Sequence, residues 1–293
     1  MTRHADVLLT ALAPMIWGST YFVTTEFLPQ GYPVTLAVLR ALPAGLLLLL
    51  VVRHLPPRAW WGRVLLLGAF NFAIFWVLLF VAAYRLPGGV AATLGATQPL
   101  IVLGLARLAM GHPIRALSVL AALAGLGGVA LLVLQPGAAL DPLGIAAGLG
   151  GAASMAAGTV FSRKWQPPVP PLTFTAWQLT AGGLLLIPVA LLSEPALPAL
   201  EPQNIGGLLY LGLIGAALTY LLWFRGIARI EPGAISMLGM MSPVTAVLLG
   251  WGLLEQALSP MQMAGAATVL GSVWLGQRAA RSPLRRPVQT RPA

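Results

Sequence analysis

Ten apolar stretches of about 18 to 22 residues, each able to cross a hydrocarbon core of about 30 Å as a helix, occupy most of the chain. They fall at 7–27, 34–53, 64–84, 88–107, 116–134, 143–161, 172–192, 205–224, 232–253 and 261–278. The connections are short and rich in Pro and Gly, and none could hold a soluble domain. A backbone in lipid finds no water to bond, so only helices and closed barrels span a membrane. Runs of this length belong to helices. The composition agrees: 58 % of residues are hydrophobic and 8 % charged, with a mean hydropathy of +0.86, where a soluble domain carries about 25 % charged residues. The expected fold is an all-α integral membrane protein with ten transmembrane helices. Ala11-Leu12-Ala13 has the look of a signal-peptidase site, but Pro14 follows directly and Asp6 interrupts the short apolar run before it. Helix 1 is therefore expected to remain in the mature protein.

Seventeen basic residues against seven acidic ones give a net charge of +10, and their distribution gives that charge its meaning. With ten spans the loops alternate sides. Arg3, Arg53, Arg58, Arg63, Arg107, Arg115, Arg163, Lys164, Arg225 and Arg229 all fall on the side of the N terminus, joined by Arg278, Arg281, Arg285, Arg286 and Arg291 near the C terminus. Only Arg85 lies opposite, and Arg40 lies inside a helix. Cytoplasmic loops are the ones rich in Lys and Arg, which places both termini in the cytoplasm and the chain in the cell's inner (plasma) membrane. The basic tail, 279–293, is expected to lie against anionic lipid. The charge is thus a topology signal, and no nucleic-acid partner is called for. The chain has no cysteine, which excludes disulfides and thiolate metal sites.

One phrase occurs twice. RLPGGVAATLGATQP at 85–99 returns as RIEPGAISMLGMMSP at 229–243, a spacing of 144 residues that aligns Arg85 with Arg229, Gly95 with Gly239 and Pro99 with Pro243. Trp17-Gly18-Ser19 similarly aligns with Ala157-Gly158-Thr159, and Arg40 to Leu46 with Gln178 to Leu184. Five spans per half is an odd number, so the second half, 139–278, must be inverted relative to the first, 1–138. A five-plus-five inverted repeat is the architecture of many secondary transporters, which hold substrate near the midplane between the halves. Pro99 and Pro243 lie about 11 residues into their helices, roughly 16 Å at about 1.5 Å per residue. Each removes a backbone bond and crowds the carbonyl four residues earlier. Gly95 and Gly239 stand there and let the helix bend. These four residues are the expected kink and gating positions.

The ten spans, the Pro-Gly start of helices 4 and 9, the mid-helix prolines, Trp17-Gly18-Ser19 and Arg40 resemble the drug/metabolite transporter superfamily, in the group with two EamA-type domains. Within it the chain looks similar to the amino-acid exporters, including YddG-like exporters of aromatic amino acids. The resemblance implies export of small metabolites by alternating access, with no enzymatic activity.

Ionisable groups at membrane depth are functional candidates. Arg40 is the only charge well inside a span. Glu26, Asp141, Glu194, Glu201 and Glu255 sit at outer ends or loops, and Asp6 and Glu231 on the cytoplasmic side. A proton antiporter built on a central carboxylate lacks its key residue here. A hydrolase or metal site would need clustered His, Asp or Glu, and none clusters, so neither a metal nor any other cofactor is called for. The neutral candidates for substrate binding are Trp17 and Tyr21, which share a face at i, i+4, with Asn71, Phe75, Trp76, Thr97, Gln98, Trp177, Gln178, Tyr220, Met237, Met240 and Ser242. Ordinary helix packing competes with substrate contact for each aromatic and each Met. A buried amide needs a partner, so Asn71, Gln98 and Gln178 should face inward, toward another helix or the substrate. Trp60, Trp61, Trp165, Trp223, Trp251 and Trp274 lie near span ends and read as interfacial anchors. Small-residue pairs such as Ala121 with Gly125 and Ala267 with Gly271 bring helices close, in a monomer or a homodimer.

A pocket of amides, hydroxyls, indoles and thioethers suits a compact, net-neutral, amphipathic solute such as a zwitterionic amino acid, and methionine tolerates varied shapes. Efflux of drugs or other small organic solutes is the alternative within transport, and a scaffold role is the alternative outside it.

Overall fold

The computed structural model describes residues 3–86, 88–134, 141–253 and 258–280; the side chains at positions 21, 25, 84, 88 and 89 lie outside the described set. The described residues form helices and no strands. In chain order these are α1 (Arg3–Phe27), α2 (Pro33–Val52), α3 (Trp61–Gly68, Ala69–Ala73 and Ile74–Arg85 in direct succession), α4 (Gly88–Gly95 and Gln98–Met110) and α5 (Ala116–Val133). The second set is α6 (Pro142–Lys164), α7 (Pro171–Ser193), α8 (Pro202–Leu209, Tyr210–Leu218 and Thr219–Arg229), α9 (Pro232–Leu238 and Met241–Leu253) and α10 (Pro260–Ala279). Helices α2, α6, α7, α8, α9 and α10 all start on a proline, whose missing N–H costs nothing in the first turn. Asp141 caps α6 through the Gly144 amide at 2.7 Å. Ser259 and Gln262 cap α10 reciprocally.

Among the described residues, α1 to α9 are long and apolar enough to cross a membrane. The tenth expected span is also a helix, 20 residues long, but Gln262, Ser272, Gln277 and Arg278 make it less apolar than the others. It is accommodated sideways, against α5. Large apolar side chains face outward on almost every helix, among them Leu50, Leu108, Leu192, Trp61, Trp251 and Trp274. That is the arrangement of a surface meeting lipid.

Helices in lipid gain nothing from hiding apolar surface from one another and associate by close packing, which favours small residues. The most extensive pairings are α2 with α7 and α5 with α10. A Cβ on Gly45 would meet the Thr180 backbone nitrogen at 2.5 Å, and one on Gly183 would meet the Leu42 Cα at 2.8 Å. These two contacts are reciprocal: Leu42 and Thr180, like Gly45 and Gly183, are matched positions of the two halves. In the same way a Cβ on Gly125 would meet Ser272 Oγ at 2.7 Å, and one on Gly128 the Val269 nitrogen at 2.9 Å. The remaining contacts also exchange halves: α3 packs on α6 as α8 does on α1, and α4 on α6 as α9 does on α1.

The obstacles at Gly45 and Gly183 are backbone atoms that cannot swing away, so the helices themselves must separate to admit a methyl group. Gly45→Ala or Gly183→Ala is expected to destabilise the protein by about 1–3 kcal/mol, measured as a fall in thermal midpoint in detergent. Gly62→Ala and Gly104→Ala, where nothing lies within 4 Å, serve as neutral controls. Equal midpoints for all four variants would contradict the close crossing.

Candidate functional site

Two helices lose α-helical register at corresponding places. Ala69–Ala73 in α3 and Tyr210–Leu218 in α8 are π-helical, and at the 144-residue spacing the first maps into the second. A π turn widens the backbone ring and leaves carbonyls that need other donors. In α8, the Gly215 carbonyl accepts from Arg40 Nη2 at 2.6 Å and from Thr219 Oγ1 at 2.9 Å. Thr219 Oγ1 in turn accepts the Trp17 indole N–H at 2.9 Å. One polar node therefore joins α1, α2 and α8.

In α3, the Phe70 carbonyl accepts from Ser154 Oγ on α6 at 2.8 Å. One residue on, Asn71 Nδ2 donates to Gln178 Oε1 at 2.8 Å and to Ser162 Oγ at 3.2 Å. Asn71 and Gln178 are both 0 % exposed. This second node joins α3, α6 and α7, and it corresponds to the first: Gln178 matches Arg40, and Asn71 matches Gly215. The repeat thus brings a polar side chain of α2 or α7 to the π segment of α8 or α3. One version uses a guanidinium and the other a pair of amides. The buried amides are bonded by neighbouring helices, one of the two fates open to them.

Between the nodes lies an aromatic cluster drawn from α1, α3 and α8. Phe72 and Tyr220 ring centroids are 4.6 Å apart, Trp76 meets Phe72 edge-on at 5.4 Å, and Trp17 lies 5.0 Å from Tyr220 and 5.2 Å from Trp223. The Arg40 guanidinium carbon sits 5.3 Å from the Trp76 ring centroid, a cation–π contact. Phe75 packs half-buried against the same core. Trp17, Arg40, Trp76 and Tyr220 therefore form one group, with Asn71 and Gln178 in the second node beside it.

The other candidates are placed elsewhere. Met237 packs against Gly276 of α10, and Met240 against Gly125 of α5 and Ser272 of α10. Their thioethers thus face the α5–α10 pair. Trp177 donates its indole N–H to the His54 carbonyl at 2.6 Å and stacks on the His54 ring, fixing the chain after α2. The Tyr21 side chain lies outside the described residues.

Helices α4 and α9 are interrupted where the repeated phrase expects it, at residues 96–97 and 239–240. Tight turns take over: the Thr97 amide bonds the Leu94 carbonyl at 3.1 Å, the Met240 amide the Met237 carbonyl at 3.2 Å, and the Ser242 amide the Gly239 carbonyl at 3.1 Å. Thr97 Oγ1 also returns to the Leu94 carbonyl at 2.6 Å. Pro99 is buried and Pro243 half-buried, and Gly95 is exposed with open space around it. Gln98 is half-buried and makes no side-chain hydrogen bond within the described residues. The Ser242 carbonyl lies where a Cβ on Gly18 would meet it at 2.6 Å, so α1 and α9 touch at this depth.

One expectation is corrected. Trp223 is not an interfacial anchor: it is 1 % exposed and stacked on Trp17. α8 runs on to Arg229, which leaves position 223 well inside the helix, facing α1. Phe72, Ser162 and Thr219 are contributors that polarity and position alone did not single out. For Thr219 a usable signal existed, because a hydroxyl four residues after a helical glycine can bond that glycine's carbonyl.

The model of the EamA-like transporter family matches the chain twice, at residues 5–134 and 142–276. Protein PecM of Dickeya dadantii is 43 % identical over 267 residues, which span 90 % of each chain. The uncharacterized inner membrane transporter YedA of Escherichia coli is 32 % identical over 268 residues, 89 % of this chain and 87 % of that one. A solved structure described only as a protein crystal structure shares the fold, with a TM-score of 0.80 over 96 % of this chain and 100 % of that one at 21 % identity.

The amide node lends itself to a double-mutant cycle. Asn71→Ala and Gln178→Ala each leave a buried amide with fewer partners, a loss of about 1–3 kcal/mol. The double variant should cost clearly less than the two single losses added, because the second removal takes away a group already orphaned. Thermal unfolding of the four proteins in detergent measures this, and strict additivity would mean that the two amides do not depend on each other.

Proposed function

The chain belongs to the EamA-like transporter family, and on that premise we propose that it exports small metabolites, foremost amino acids with aromatic or other neutral side chains, across the inner membrane by alternating access. The observation that carries this reading is the convergence of Trp17, Phe72, Trp76 and Tyr220 beside Arg40, where helices of both halves meet. Ring faces suit the apolar part of such a solute and can also hold an ammonium group. Hydroxyls and amides nearby suit a carboxylate that needs hydrogen bonds more than a full opposing charge. A cationic drug would gain nothing from a centre whose one charge is a guanidinium.

The halves are read as inverted, with both termini cytoplasmic. The reciprocal α2–α7 and α5–α10 crossings support a twofold relation between the halves. The concentration of Arg and Lys at the end of the bundle that carries the N terminus supports the orientation. The paired breaks in α4 and α9 give each half one helix able to bend, as exchange of open and closed ends requires. Arg40 acts first as a clamp, since its Nη2 is engaged by the Gly215 carbonyl and its plane by Trp76.

The decisive experiment is flux in liposomes that contain only this protein, with labelled amino acids and organic cations at low and high salt. Neutral amino acids should move faster than through protein-free vesicles, saturate, and respond weakly to salt, since no carboxylate in the centre steers charge. Transport of the cations alone would overturn the reading. In the same assay, Arg40→Lys keeps the charge but loses the planar fork, and should lower stability and slow all substrates alike. Intact folding with selective loss of carboxylate-bearing substrates would reassign Arg40 to substrate binding.

A further inference from the structure

The repeated phrase begins with a matched pair, Arg85 and Arg229, and these two arginines form reciprocal ion pairs at opposite ends of the bundle. Arg229, closing α8 of the second half, reaches Asp6 in the first turn of α1 at 3.1 Å. Arg85, closing α3 of the first half, reaches Asp141 at the start of α6 at 3.6 Å. Each arginine thus ties the last turn of one half's helix to the first helix of the other half. We propose that Asp6 with Arg225 and Arg229 is a latch that holds the N-terminal end of the transport path shut, and that Arg85 with Asp141 is its weaker counterpart at the opposite end.

The inequality of the two pairs carries the argument. Asp6 is held by two cations, with Arg225 Nη2 at 2.6 Å and side-chain exposures of only 15 % and 13 %. The position matching Arg225 is Val81, so Asp141 has no second arginine. Arg85 and Asp141 are 47 % and 37 % exposed, where water weakens an ion pair. The N-terminal end also carries bonds with no matching partner across the repeat. Arg115 Nη1 bonds both Glu231 oxygens, at 2.8 and 3.0 Å, tying α5 to α9. The positions matching Glu231 and Arg115 hold Pro87 and Ser259, which cannot form an ion pair. Arg163 on α6 donates to the carbonyls of Ile227 and Ala228, holding the last turn of α8 from its other side. Directly beneath the latch, Thr10 is 0 % exposed and packs against Gly226, so α1 and α8 seal the path there. Arg3, which donates to the Gln277 carbonyl at 3.4 Å, and His4 flank Asp6 on the same helix end.

The latch rests on the transport reading above, yet it can fail separately, because accessibility and flux are different readouts. Thr10→Cys places a thiol under the latch in a chain that has no other cysteine. The measurement is its rate of labelling by a membrane-impermeant maleimide, applied to each side of protein-containing vesicles in turn. From the N-terminal side the thiol should be protected. Asp6→Asn and Arg229→Gln should each raise labelling about tenfold, the shift expected when a closed state loses about 1.4 kcal/mol relative to an open one. Asp141→Asn should not raise it. Continued protection in both latch variants, or an equal rise with Asp141→Asn, would overturn the proposal. If Asp6→Asn fails to yield folded protein by size exclusion and thermal melting, Arg229→Gln decides alone, since that side chain is 46 % exposed and tolerant of change. Labelling contrast without flux would leave the latch standing and remove the transport reading. Flux with no contrast would do the reverse.

Discussion

A carbonyl that cannot be hydrated is the constraint on which this fold turns. An unsatisfied backbone group in hydrocarbon costs several kcal/mol, yet α3, α4, α8 and α9 each depart from regular α-helix in mid-course. Each departure carries its own remedy. The Gly215 carbonyl takes Arg40 and Thr219, and the Phe70 carbonyl takes Ser154. The breaks in α4 and α9 close on themselves through three-residue turns. The polar side chains inside the bundle are therefore concentrated where the backbone needs them, which explains why so apolar a chain retains Arg40, Asn71, Gln178 and Thr219 at all. Because these groups also join helices from different parts of the chain, satisfying the backbone and assembling the bundle become the same act.

The crossings between halves follow from a second constraint. Lipid provides no hydrophobic force between helices, so contact area and short approach must serve instead. Gly45 with Thr180 and Gly183 with Leu42 bring α2 and α7 to backbone contact. The aromatic cluster then fills the space beside that crossing with large rings, which a glycine-lined seam could not do. Small residues set the distance, large ones the shape. The ion pairs at the bundle ends complete the arrangement, at depths where water makes charge affordable.

Much of this was legible in the sequence, for identifiable reasons. Hydrocarbon thickness fixes span length, so the helices declare themselves by apolar runs. The prolines and glycines of the repeated phrase mark the breaks in α4 and α9 because their backbone chemistry is local. The alignment of Arg40 with Gln178 anticipates the two nodes. The π segments were not legible: inserting one residue into a run such as Tyr210 to Leu218 changes neither composition nor any polar period. That shift also decides which way later residues face, which is how Trp223 came to be buried while its position near a span end suggested lipid headgroups. Met237 and Met240 illustrate the same limit. Nothing in a uniformly apolar helix tells which flank meets α10 and which meets α1.

The two nodes are matched in place but not in chemistry, and the difference has an energetic sense. A guanidinium bonded to a carbonyl is a charge-assisted contact, roughly twice as strong as a neutral one, whereas Asn71 with Gln178 is neutral throughout. Two identical halves would give a molecule whose two orientations were equal in energy, with no preference for which end is closed. Placing the charge in one node, and the double arginine at one end, makes the halves unequal while leaving their geometry related. A repeat can supply the symmetry that makes two orientations possible. Only departures from the repeat, such as Arg40 opposite Gln178 and Arg225 opposite Val81, can set the balance between them. On that argument, the positions where the two halves disagree carry as much functional information as the phrase they share.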